Sequence, residues 1–450
     1  MPMTTIRVNH IAGVSNSEAV KHWYLDDPKP GIIASAEAKT IKFRGWVVCQ
    51  PGFIVDEVVV ERRDEIQSFA LTDERIDVAQ RFSAIGSLHP VPVKCGFNFE
   101  INSSSGKVRL GYKIGSNIVW CASIEIVVTL KVEQGSDGWL FLGNDTNHSM
   151  KQFSGERLLS DQELQLWDTY FSTLRGASWK NSFKSCFLLA PAKEFCVPEH
   201  YPIERGSRVA LDQFLERFEE MNPIIWPREE LARDKEQTYW KGDTHWTDYG
   251  AYVSAMLALK FLQLEPAPES LTPNYAITKK AGDLGGKLTP PVKFAVATAD
   301  FTVAKKSLVF DNEIHNHGRI RIYEPDVPKY PDYKCICFGD SFSVNMVPWL
   351  IPYFGRLVYV HSAAALDRDL LEAERPTHVI FQTNSRFIIS PPDALGYLKE
   401  SLTSKLKALE IAKRESLADK CREQLLKRGT NNYYHNLMLT MTEAASACKS

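Results

Sequence analysis

Two short segments hold the residue types that nucleophilic acyl chemistry needs. In YKCICFGDSFSVNM (333–346) an apolar, partly β-branched run leads straight into Gly339-Asp340-Ser341. Side chains at strand carboxyl ends face the ligand crevice of open α/β sheets, and a preceding glycine lets the backbone turn sharply. Ser341 is therefore placed as a nucleophile would be, although Gly-Asp-Ser alone is a common tripeptide whose serine also reads as a turn or N-cap residue. The second segment, YWKGDTHWTDYG (239–250), is polar and aromatic and lacks helical period. It precedes a helix for which Thr247 is the expected N-cap, and whose Val253, Met256, Leu257, Phe261 and Leu264 are expected to face inward. Asp243 and His245 thus fall in a loop. Residues two apart in extended backbone point to one side, so Asp243 can reach the Nδ1–H of His245 and leave Nε2 free as a base. An imidazole held this way can deprotonate a serine near neutral pH. His245 also reads as a structural histidine or a metal ligand. A metal site would need two or three further ligands, and His200, His315 and His317 show no such spacing, so no metal is expected.

The elements that must position these residues differ between the two ends of the chain. From about Thr40 to Val132 the sequence is built of short β-like runs such as IKFRGWVVC, DEVVVERR and VPVKCGFNFEI, separated by turn residues. This predicts an antiparallel β-sandwich at 1–134, an accessory domain with glycan binding or interaction as its expected role. Its Trp46, Phe97 and Trp120 sit in strand patterns that suit core packing. Gly135-Ser136-Asp137-Gly138 breaks the pattern. Helix-like stretches at 160–175 and 209–220 then alternate with apolar strands at 185–193, 333–338, 356–360 and 377–382, which predicts an α/β layer fold with a largely parallel sheet at 135–400. Residues 401–450 read as a charged helical extension.

Composition narrows the function classes. Lys and Arg total 53 against 55 Asp and Glu, so a net charge of −2 gives no electrostatic reason to expect nucleic acid. Nine cysteines without paired metal spacing read as reduced, mostly buried thiols. The N-terminal residues show no apolar h-region behind a basic start, and no stretch reaches the ~18 apolar residues of a membrane span. The expected location is cytoplasmic, or periplasmic if a leader has been removed.

The pair GDTHWTDYGAY (242–252) and FGDSFS (338–343) resembles the signature of the SGNH-hydrolase-like alginate O-acetyltransferase family, the AlgJ/AlgX type. In that family the Asp-x-His element precedes the Gly-x-Ser element, the reverse of ordinary SGNH hydrolases. GSDGWLFLGND (135–145), LLAPAKEFCVPEHYP (188–202) and VIFQTNSRFI (379–388) resemble further stretches of it, so the likeness spans about residues 135–395. It implies an SGNH-like sheet flanked by helices, with Ser341 as nucleophile, His245 as general base and Asp243 as its orienting acid. Lys193 and Arg386 match weaker motifs, where each reads as a substrate contact or equally as a salt-bridged or snorkelling surface residue. For the oxyanion hole the Ser341 N–H is the chosen donor, with Asn384 and Asn345 as further candidates, because the usual Gly and Asn donors have no clear counterpart.

What the resemblance implies is transfer of an acetyl group to a polysaccharide hydroxyl through an acetyl-serine. Family members commonly work outside the cytoplasm and receive acetyl from a membrane acyltransferase. Glycosyltransferases are the other expected partners. No bound cofactor is expected, but an acetyl donor is required, either acetyl-CoA or an acetylated partner, and no Gly-rich phosphate loop supports the former. The alternative activity is a carbohydrate acetylesterase with the same triad, since hydrolysis and transfer share their first half. A non-catalytic glycan-binding protein is the alternative of another class.

Overall fold

The computed structural model describes residues 4–13, 18–35, 40–62, 65–83, 90–102, 106–129, 131–143, 145–265, 275–288, 290–393, 402–403, 405–406, 411–426, 433–434 and 436–437. Contacts divide the chain into two compact units, Met1–Lys131 and Val132–Ser450.

The first unit consists of antiparallel strands: β1 (Thr4–Gly13), β2 (Val20–Asp27), β3 (Gly31–Ser35), β4 (Thr40–Cys49), β5 (Glu57–Arg62), β6 (Glu65–Phe69), β7 (Asp73–Glu74), β8 (Lys94–Asn102), β9 (Gly106–Ile114) and β10 (Asn117–Thr129). They form a six-stranded sheet in the order β3-β1-β10-β9-β5-β6 and a four-stranded sheet in the order β2-β4-β8-β7. Alternation along β4 buries Ile41 and Phe43 between exposed Lys42 and Arg44, the period-two pattern of a half-buried strand. Phe97 is fully buried in this core. Trp46 and Trp120 are only half-buried, and the Arg109 guanidinium lies 4.2 Å from the Trp120 ring centre.

The second unit opens with the paired strands β11 (Lys131–Gln134) and β12 (Leu140–Gly143). Its centre is a seven-stranded mixed sheet made from β13 (Lys184–Ala190), β14 (Ile224–Ile225), β17 (Leu308–Asp311), β18 (Ile320–Tyr323), β19 (Tyr330–Gly339), β20 (Phe354–His361) and β21 (His378–Asn384). Between β14 and β17 in the chain, a separate hairpin pairs β15 (Tyr275–Lys280) with β16 (Phe294–Ala299). The sheet order is β14-β13-β21-β19-β20-β18-β17. The first five strands run parallel, and β18 and β17 add an antiparallel edge. The sheet is flanked by helices, as an SGNH-like architecture requires. Buried on both faces, β21 reads HVIFQTN with every residue inaccessible, which explains why its pattern is a continuous run and not an alternation.

The helix Asp248–Phe261 starts as expected, with Thr247 Oγ1 accepting the Gly250 N–H. Its inward face is not the expected one. Ala251, Ser254, Ala255, Ala258 and Leu259 are buried, whereas Val253, Met256 and Leu257 are half-buried and Phe261 is exposed; of the expected set only Leu264, beyond the helix, is buried. Close approach is the reason. A Cβ on Gly250 would lie 2.3 Å from the Thr238 carbonyl oxygen, so this helix packs through small residues and lets its larger ones cover the flanks. Of the C-terminal region, the helix Ile411–Leu426 is described, and Leu402, Leu406, Leu417, Tyr434 and Leu437 pack into the core of the unit.

Cys49, Cys95, Cys121, Cys186, Cys196, Cys335 and Cys337 carry free thiols, and all but Cys49 are buried. No helix among the described residues is long and apolar enough to cross a membrane.

Candidate active site

The Ser341 side is built by β19. Its last residues are buried between β20 and β21, so the strand delivers Gly339 to a fixed point at the carboxyl edge of the sheet. A side chain at 339 has no room, because a Cβ would stand 2.0 Å from Ser343 Oγ. Gln382 on β21 then fixes the turn: its Oε1 accepts the Asp340 N–H at 2.9 Å and the Ser343 hydroxyl at 2.6 Å. The Asp340 Oδ1 accepts the Phe342 N–H at 2.8 Å. Burial pushes the Asp340 carboxyl above the ordinary carboxylate range, opposed by the Phe342 N–H, Gln382 and the charge of Arg386. Between these anchored neighbours, the half-exposed Ser341 is the residue left facing outward. Its N–H makes no hydrogen bond within the described residues, which leaves it available to a developing oxyanion.

The base side is the loop before the helix Asp248–Phe261. His245 Nε2 lies 2.8 Å from Ser341 Oγ, and His245 Nδ1 lies 2.7 Å from Asp243 Oδ1. The same Asp243 oxygen accepts the His245 backbone N–H at 3.0 Å. The imidazole packs against the Phe342 ring, 4.8 Å between centres, and Trp246 donates its indole N–H to the Phe342 carbonyl. Burial acts to raise the Asp243 carboxyl, but the His245 ring, its charge and the N–H groups of His245 and Asp283 outweigh it and bring the pKa down to about 2. A carboxylate so held stays ionised and pins the Nδ1–H tautomer, which is what a histidine needs in order to accept a serine proton at Nε2.

Asp283, which sequence reasoning passed over, clamps this loop. Its backbone N–H donates to Asp243 Oδ2 at 2.8 Å, while its carboxylate accepts the Thr244 N–H and the Thr244 hydroxyl, each at 2.7 Å. Gly282 makes the approach feasible: its φ is +71°, and a Cβ there would meet the Gly242 carbonyl oxygen at 2.3 Å. The only local signal is the glycine-rich run AGDLGG (281–286), which marks a turn but not its partner. Asp243, His245 and Asp283 are close enough to share a cation. Each of their candidate ligand atoms has a hydrogen-bond partner among the described residues.

The remaining sequence candidates lie elsewhere. Lys193 is buried, not at the surface, and its Nζ donates to the carbonyls of Trp240, Lys241 and Asp243 at 2.9, 3.3 and 2.7 Å. Burial pushes this amine down to about 7, against the pull of Asp243, Asp283 and Glu194; three carbonyl acceptors call for the three N–H bonds of the ammonium form. Lys193 therefore supports the base loop from behind. Asn384 is fully buried and caps a short turn by accepting the Arg386 N–H. Arg386 stands near Asp340 and Glu194, whose carboxyls its charge stabilises. Asn345 is half-buried on the helix Ser343–Leu350. The cleft beside Ser341, of about 570 Å³, is lined instead by residues including Asn316, His361, Phe387, Pro391 and Asp393. Ala363, which lines this cleft, and its neighbour Ala364 both adopt left-handed backbone, φ 51° and 70°, held by the Ser362 and Ala363 N–H groups, which both donate to the Gly339 carbonyl.

Residues 132–297 match the family described as SGNH hydrolase-like domain, acetyltransferase AlgX. Over this region the chain is similar to that family. The matched span contains Asp243, His245 and Asp283, and Ser341 follows it in the same compact unit. No curated protein sequence matches the chain. Among solved structures, Bacillus cereus PatB1 is 13% identical and aligns with a TM-score of 0.44 over 58% of this chain and 97% of its own. The O-acetyltransferase domain of Pseudomonas putida AlgJ is 16% identical, with a TM-score of 0.39 over 58% and 94%. A DHHW family protein from Eubacterium siraeum is 15% identical, with a TM-score of 0.37 over 63% and 92%.

Proposed function

We propose that the chain is an O-acetyltransferase that moves an acetyl group to a hydroxyl of a bacterial-type polysaccharide or glycan through an acetyl-serine intermediate. The observation that carries this reading is the continuous hydrogen-bond chain from Asp243 through His245 to Ser341, opening on a cleft at the carboxyl edge of the sheet. His245 Nε2 takes the Ser341 proton as Oγ bonds to the acetyl carbon of a donor ester or thioester, such as acetyl-CoA or an acetylated partner. The bond to the leaving oxygen or sulfur breaks, and that atom takes the proton from His245. A sugar hydroxyl then gives its proton to His245 and attacks the acetyl-serine; the bond to Oγ breaks and Ser341 recovers its proton. Similarity to the AlgX family favours transfer over hydrolysis. In this reading residues 135–400 are catalytic, 1–134 supply a glycan-binding or interaction domain and 401–450 form an extension. The working partners are a glycan and a membrane acyltransferase or glycosyltransferase.

The test is intact-mass spectrometry after incubation with 4-nitrophenyl acetate. A single acetyl adduct is expected on the wild type and none on Ser341→Ala; identical behaviour of the two would sink the triad reading. Adding candidate glycans to the acetylated protein separates the activities, since acetylated sugar marks a transferase and free acetate alone an esterase.

A further inference from the structure

His361 ends β20 directly beside the nucleophile strand, where it pairs in register with Gly339, two residues before Ser341. It lines the same cleft as Ser341, yet the triad does not use it. Its ring is held by a short relay. Tyr359, two residues earlier, has its hydroxyl 3.0 Å from the Asp340 carbonyl oxygen and 3.0 Å from His361 Nδ1. A carbonyl can only accept, so the one phenolic proton goes to Asp340. The contact with His361 must then be made by an Nδ1–H donating to the phenol oxygen. That assignment leaves Nε2 unprotonated. Nε2 has no hydrogen-bond partner within the described residues and is not among their sealed polar atoms, so this lone pair is accessible on a ring that lines the cleft. The ring carries no charge: burial, helped by His317, Lys405, His315 and Arg319, pushes its pKa down to about 3.

We infer that His361 Nε2 is the hydrogen-bond acceptor for a second hydroxyl of the acyl-accepting polyol, one beside the attacking hydroxyl, and thereby holds the attacking oxygen over the acetyl-serine. This rests on the acyl-transfer reading above and assigns the acceptor side of the same cleft. A neutral imidazole nitrogen takes an O–H from the alcohol but repels its oxygen lone pair. A hydroxyl next to the attacking one is therefore held at His361, and the attacking hydroxyl keeps its own single proton for His245 Nε2. The ring of Phe387 and the pyrrolidine of Pro391 supply apolar cleft wall, and Asn316 and Asp393 supply polar groups, a mixture that suits a polyol or sugar ring more than an acyl chain. His361 is too weak a base to take the proton itself, which leaves that step to His245.

The experiment follows the two half-reactions separately, with 4-nitrophenyl acetate as donor and glycerol as the minimal polyol acceptor. The wild type, His361→Ala, His361→Gln and Tyr359→Phe are compared. Acetylation of Ser341, read by intact mass, is expected to stay within about twofold in all four. Glycerol-dependent loss of the acetyl group is expected to fall roughly tenfold in His361→Ala, the size of one lost hydrogen bond. It should return most of the way in His361→Gln, whose amide oxygen can replace Nε2. Tyr359→Phe should lie between, because Nδ1 no longer dictates the tautomer. Equal glycerol-dependent deacetylation in wild type and His361→Ala, or no glycerol dependence in the wild type, overturns the assignment. A parallel loss of acetylation in His361→Ala also overturns it, because the residue then serves the nucleophile turn. Failure of the wild type to form any adduct instead refutes the acyl-enzyme reading itself, and this inference with it.

Discussion

Ser341 is flanked by two histidines that share one design feature and differ in its chemical ending. Each ring is anchored through Nδ1 and offers Nε2. His245 is anchored to a carboxylate that is itself clamped by Asp283; His361 is anchored to a phenol that passes its proton to a carbonyl. The first ending compensates a proton arriving at Nε2. The second provides no negative charge, and the cationic groups around His361 oppose protonation. The identity of a side chain says little about its task. The group on the far side of the ring decides whether a histidine moves a proton or only receives a hydrogen bond.

That contrast can be broken most severely at Asp243. Asp243→Asn keeps the shape but offers His245 a neutral partner, and the acetylation rate is expected to drop roughly 10³-fold or more. Stopped-flow release of 4-nitrophenolate measures it, and a loss under tenfold would mean that His245 does not depend on the carboxylate. Asp283→Ala should cost less, about tenfold in the same assay, because it frees Thr244 while leaving Asp243 bonded to His245. The smallest expected effect is on stability. The Asp243 pKa is depressed in the folded protein to about 2, below its unfolded value, so its contribution is present above about pH 4 and is lost as pH falls towards 2. Urea midpoints of wild type and Asp243→Asn should therefore converge between about pH 4 and 2; a gap that stays constant over that window would show that the carboxylate charge is not what stabilises the loop.

The triad segments were legible in sequence because each is local. A strand that ends in Gly-Asp-Ser and a loop that spaces Asp and His by two state their own geometry. The clamp was not legible, since Asp283 lies 40 residues from Asp243 and announces itself only as a turn. His361 does not stand out in the sequence because its meaning depends on a parallel register with Gly339. Lys193 looked like a surface or ligand-contact residue, yet its length lets it reach three carbonyls from within the core. The helix Asp248–Phe261 misled for a packing reason: apolar periodicity finds the larger side chains, while the closest contacts select small ones. The antiparallel edge, β17 and β18, is four residues per strand, too short for an alternation to stand out.

The left-handed alanines after β20 have a consequence for how this chain could change over time. An L-residue in that conformation costs about 1–2 kcal/mol, and glycine adopts it freely. Ala363 is half-buried, and every alanine codon becomes a glycine codon through one nucleotide. A lineage selected for heat resistance thus has a single-step route to relieving that strain, offset in part by the greater freedom of glycine in the unfolded chain. The same step would loosen the wall of the cleft, so the route to a hardier protein runs through the lining that Ala363 shares with Ser341.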